Sequence, residues 1–129
     1  MRELLAHLVG DYVLQNNWEA QNKTSKWFPA ISHVVKYTAA FVPVTRNWKA
    51  LAIIGGTHLV LDHYRVAIPL SWATNNILVP SEEKYEYTRD NAGYGPETPP
   101  WLSTWLMIIT DNTLHMLINH VAIERYKNG

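Results

Sequence analysis

The sequence predicts an all-α protein, a small helical bundle of about four main helices with a long irregular loop before the last one. Three observations carry this. Apolar residues recur at helical spacing, as in Leu4, Leu5, Leu8, Val9, Tyr12 and Val13. Prolines fall where helices start or stop. Three His/Asp pairs share an i, i+4 spacing that puts both side chains on one helical face.

The elements follow in order. Residues 2–16 read as a first helix with the Leu/Val/Tyr stripe as its core face. Asn16-Asn17 and Asn22-Lys23-Thr24-Ser25 carry turn chemistry. Ser25 is placed to cap a second helix reaching about Val42, with Pro29 tolerated in its opening turn. A third helix is expected from Trp48 to about Ile68, stopping before Pro69. Gly55-Gly56 weakens it on propensity and signals close packing against a neighbour. Residues 69–100 hold Pro69, Pro80, Pro96, Pro99 and Pro100 with Gly93 and Gly95. They read as a long loop with a short helix at Ser81-Glu82-Glu83-Lys84, of the kind that forms the wall or lid of a pocket. The last helix is expected from Trp101 to about Tyr126.

A chain of 129 residues suits one domain spanning 1–129. Formal charge is zero with His neutral, so strong nucleic-acid binding is not expected. The absence of cysteine removes disulfides, thiolate zinc sites and Cys nucleophiles together, and fits a cytoplasmic location. The apolar start at Leu4-Leu5-Ala6 is too short for a signal peptide. Trp101–Ile123 is the best candidate for a membrane span, but Asp111, His115 and His120 lie inside it. A buried helix of a soluble bundle is therefore favoured over membrane association.

The chemistry lies in His7/Asp11, His58/Asp62 and Asp111/His115, with His33 adding a group from the second helix. Six His and four Asp scattered over this length should give roughly 0.4 such pairs by chance. Three occur, each among apolar neighbours. Ionised Asp is almost never buried without a partner, and a metal ion would supply one. With no thiolate, His and Asp donors suit one or two divalent Zn, Mn, Fe, Ni or Co ions. Seven donors exceed the four of a closed mononuclear site. They would serve two ions sharing a carboxylate, or one ion with outer partners. Asp62, on the central helix, is the expected bridge. His63 and His120 rotate off the pair faces and read as outer or surface histidines.

The segments Leu5-Ala6-His7-Leu8-Val9-Gly10-Asp11-Tyr12-Val13-Leu14-Gln15, Lys23, His33, Thr57-His58-Leu59-Val60-Leu61-Asp62 and Asp111-Asn112-Thr113-Leu114-His115 resemble, in this order, the DUF3307 family of uncharacterised bacterial and phage proteins. The family usually has Gln where Asn112 stands. The site type is similar to that of helical metallohydrolases such as zinc-dependent phospholipase C and the HD-domain phosphohydrolases, whose His-Asp step occurs here reversed at Asp62-His63.

The leading expectation is a metal-dependent phosphohydrolase acting on a nucleotide or other small phosphate ester. Lys23 would bind phosphate beside the catalytic Asp62, and Arg65, Lys84 and Arg89 would complete an anion site. Tyr64, Trp72, Tyr85, Tyr87, Tyr94 and Trp101 either stack a base or pack the long loop. The alternatives are a non-catalytic metal-stabilised sequestering protein, phage-encoded, and a membrane-associated helical protein.

Overall fold

A computed structural model describes residues 1–129. The chain is helical and contains no strand. Its α-helices are α1 (Arg2–Leu8), α2 (Asn17–Asn22), α3 (Trp27–Ala40), α4 (Trp48–Tyr64), α5 (Ala67–Asn76) and α6 (Pro100–Arg125). Residues fall into two compact units, 1–64 with 114–129, and 65–113. No helix is long and apolar enough to cross a membrane.

In the first unit, α1 stops at Leu8 and the chain continues as a π-helical turn, Val9–Val13. Its widened pitch shows in the bond from the Leu14 amide to the Val9 carbonyl at 2.9 Å. Such single π turns are frequent at functional sites. The expected uninterrupted helix 2–16 is corrected here. So is its orientation: the Leu/Val/Tyr stripe faces outward, with Leu5 55% and Val13 72% exposed. The buried face is Ala6, His7, Gly10 and Asp11. Closeness to α3 explains the choice, because a Cβ on Gly10 would lie 2.7 Å from Tyr37 Cδ2 and 3.1 Å from Tyr37 Cα. Only the small, polar face of α1 fits so near another backbone.

Sequence reading missed α2. Asn16 opens it with a capping box, its side chain accepting from the Glu19 amide while the Glu19 carboxylate accepts from the Asn16 amide. Buried Glu19 also accepts from Ser32 Oγ at 2.6 Å and pairs with Lys36 Nζ at 2.6 Å, which ties α2 to α3. α3 packs on α4, where Gly55 admits Thr38: a Cβ there would stand 2.6 Å from its Oγ1. The apolar core of this unit is Ala6, Tyr37, Phe41, Ile54, Ala122 and Ile123.

The helix expected to reach Ile68 ends at Tyr64, because Arg65 adopts φ +49°. In the second unit, α5 then restarts the chain and holds Pro69 in its opening turn, where a missing amide is harmless. The remaining loop contains 3-10 turns at Ser81–Glu83 and Asp90–Gly93. Asn91, in the left-handed region, donates to the Gly95 and Thr98 carbonyls and accepts from Ser103 Oγ. Trp72 donates to the Tyr85 carbonyl and meets Tyr87 edge to face. Tyr85 donates to the Gly93 carbonyl. These rings pack the loop onto α5.

Two glycine substitutions test this packing. Gly10→Ala should destabilise the protein by about 1–3 kcal/mol through overpacking. Gly56→Ala, whose Cβ meets nothing within 4 Å, should stabilise it by about 0.5–1 kcal/mol on helix propensity. Denaturant melts of both variants measure the opposite signs.

Candidate metal centre

Six of the seven expected ligand residues converge inside the first unit. His7 comes from α1, Asp11 from the π turn, His33 from α3, His58 and Asp62 from α4, and His115 from α6. All six are buried, the four histidines at 1% exposure or less. Asp111 lies one turn before His115 on α6 and belongs to the second unit's stretch of chain.

The heart of the cluster is four donor atoms: His33 Nε2, His58 Nε2, Asp11 Oδ1 and Asp62 Oδ2. The two imidazole nitrogens stand 2.9 Å apart. His33 Nε2 is 3.1 Å from Asp11 Oδ1 and 3.4 Å from Asp62 Oδ2. His58 Nε2 is 3.4 Å and 3.2 Å from the same two oxygens. With metal–donor bonds of about 2.0–2.1 Å, the edges of a coordination tetrahedron come to roughly 3.3–3.4 Å. The buried His/Asp group is therefore one that can hold a metal ion.

Each carboxylate turns its second oxygen to a flanking histidine. Asp62 Oδ1 lies 3.1 Å from His115 Nε2, and Asp11 Oδ2 lies 3.7 Å from His7 Nε2. The π turn carries Asp11 inward from His7, so this i, i+4 pair spans a wider turn than a regular helix would give. Lys23, just after α2, brings its Nζ to 2.5 Å from Asp62 Oδ2.

Tyr37 organises the rings. Its own ring stacks on His58 with centroids 3.6 Å apart. Its hydroxyl lies 2.7 Å from His7 Nδ1 and accepts from Asn119 Nδ2 at 2.7 Å. His33 Nδ1 and His58 Nδ1 are buried without a hydrogen-bond partner, so these two rings are held by their Nε2 contacts and by packing. Sequence reasoning missed Tyr37 and Asn119. The signal was present, since each sits four residues after a cluster histidine, His33 and His115, on the same face. Of the other histidines, His120 pairs with Glu3 at the surface, and His63 hydrogen-bonds the Lys23 carbonyl. Arg65, Lys84 and Arg89 are exposed residues of the second unit.

The electrostatics follow from these contacts. Burial pushes the Asp11 carboxyl up, but hydrogen bonds from His33 and His58 and the attraction of His58 outweigh it and hold it well below its ordinary value. Asp62 is held down against its burial by His115, His33 and His58. Burial lowers His33, yet its bonds to Asp11 and Asp62 leave it raised.

A family model described as a protein of unknown function (DUF3307) matches residues 1–89. No curated protein and no solved structure matches the chain.

The pKa directions set how the metal-free protein responds to pH. Asp11 and Asp62 are depressed on folding, so their stabilisation is complete above the unfolded value, 3.8, and is lost as pH falls through the folded values. His33 is raised, so its stabilisation is complete below 6.5 and is lost as pH rises through its folded value. Denaturation in chelator across pH should show greatest stability between these limits. Asp62→Asn should flatten the acid limb.

Proposed function

The chain belongs to the DUF3307 family, and from that premise and the geometry of the cluster we propose a divalent-metal centre that serves hydrolysis of a small phosphate ester. The observation that carries the proposal is the set of four buried donors at the spacing of a coordination shell. Two carboxylates and two imidazoles suit Zn, Mn, Fe, Ni or Co. The four central donors would complete the shell of a single ion, with the Lys23 ammonium sharing Asp62 Oδ2. His7 and His115 then act on the outer oxygens, orienting the carboxylates that bind.

When bound, such an ion supplies a Lewis acid that activates water and polarises a phosphoryl oxygen. The protein's own residues do the rest. Asp11 and Asp62 together offset the ion's charge. Tyr37 stacks on His58 and meets His7, which keeps both rings in register. Lys23, with its side chain 17% exposed, is more accessible than Asp11 or Asp62 and is placed to hold a phosphate oxygen.

A second reading, attachment to a lipid surface without catalysis, is favoured by one observation. The outward faces of α1, its π turn and α3 carry Leu5, Val13, Phe28 and Val35, each more than half exposed, and exposed apolar surface can mark an interaction site. Flotation with anionic vesicles tests it; protein remaining at the bottom of the gradient rules it out.

The metal centre makes two predictions. Protein purified without added metal should contain about one equivalent of a transition metal, and chelation should lower Tm. Elemental analysis and melting check both, and His58→Ala should abolish the retained metal. In a screen of nucleotides, cyclic nucleotides and simple phosphate esters, Asp62→Asn should lower kcat at least ~100-fold, about 3 kcal/mol in barrier. Lys23→Ala should mainly raise KM. Inactivity of metal-loaded protein across the panel would leave a metal-stabilised sequestering protein as the reading.

A further inference from the structure

We propose that His63 is a positioning residue that clasps the Lys23 turn to α4 and so holds the Lys23 ammonium on Asp62. The inference deepens the reading of the metal site, because Lys23 is the cation assigned there to phosphate.

The argument begins at the end of α2. The last carbonyls of a helix have no partner within it. The Asn22 carbonyl is taken by the amides of Ser25 and Lys26, at 3.1 and 2.9 Å. The Lys23 carbonyl is met instead by His63 Nδ1 at 2.7 Å. A carbonyl oxygen only accepts, so the imidazole carries its proton on Nδ1 and donates it. His63 is thus the side-chain cap of α2, supplied from another helix.

The same imidazole touches the far end of the turn. Trp27, the first residue of α3, stacks on it with ring centroids 3.8 Å apart and an interplanar angle of 26°. One ring therefore pins both ends of residues 23–27.

His63 also directly follows Asp62 on α4. Lys23 is consequently held to α4 at two points: its carbonyl by His63 and its Nζ by Asp62 Oδ2, at 2.5 Å. With the backbone fixed, only the side-chain rotamers of Lys23 remain to be ordered against the carboxylate. A clasped lysine is a built part of the site, unlike exposed Lys26 three residues on.

The clasp can be read without metal or turnover, by the rate at which each lysine of the folded protein is acylated, resolved by peptide mass spectrometry. Lys23 must leave Asp62 before it can attack the reagent, so it should react about tenfold or more slowly than Lys26. His63→Gln moves the donor to the wrong position and should bring Lys23 to the Lys26 rate. His63→Asn, whose Nδ2 replaces Nδ1, should keep it slow. Lys26 and Lys49 should not change in either variant, which a general loosening would not reproduce. If His63→Gln fails to fold, Trp27→Leu carries the test, because loss of the stack should accelerate Lys23 alone. A Lys23 rate unmoved by His63→Gln, or by Trp27→Leu, overturns the proposal, as does equal acceleration by His63→Asn. Absence of metal binding would sink the proposed function and leave these rates as they are, so the two failures are distinguishable.

Discussion

Two carboxylates, Asp11 and Asp62, are buried together against the same pair of imidazoles, and the first unit is arranged around their need for compensating charge. An ionised carboxylate removed from water costs several kcal/mol unless it is paired and hydrogen-bonded. Here four histidines and one lysine answer two acids. The raised pKa of His33 and the lowered ones of Asp11 and Asp62 show how the protein alone meets the demand, by imidazolium–carboxylate pairing. A divalent ion meets it more directly, and competes with that proton.

Bringing these groups together constrains the helices alongside the apolar core. α1 and its π turn present their smallest face inward, since Gly10 lies against the Tyr37 backbone. Gly55 does the same for α4 against Thr38. The larger apolar side chains of α1 are left outside. Tyr37 joins the two demands: it belongs to the apolar core with Phe41 and Ile54, and it holds the His58 and His7 rings. The same residue therefore serves both stability and site geometry.

The turn after α2 shows how a polar site borrows structure from helix ends. Glu19 fixes α2 to α3 through Ser32 and Lys36, and His63 takes up the Lys23 carbonyl that the helix leaves unpaired. Neither contact involves a donor of the central four. Both decide where Lys23 stands, and with it the charge on the accessible side of Asp62.

Local chemistry by itself determined the helical class, the place of α3 and α6, and the residues of the cluster. Periodicity, proline placement and the i, i+4 His/Asp spacing are properties of neighbours in sequence, and they survive folding. What they leave open is which face turns inward. The Leu/Val/Tyr stripe of α1 satisfies helical periodicity as well as Ala6, His7, Gly10 and Asp11 do; only the approach of Tyr37 selects the second. The end of α4 at Arg65, with Pro69 inside α5 rather than before it, likewise depends on a backbone conformation that proline rules do not specify. Short α2 escaped notice because six residues carry too little periodicity to register, although its capping box of Asn16 and Glu19 is local. Tyr37, Asn119 and His63 gain their roles from partners 30, 82 and 40 residues away in sequence. The i+4 spacing puts Tyr37 and Asn119 on the cluster faces, but their partners are set only when packing brings separate helices within a hydrogen bond of one another.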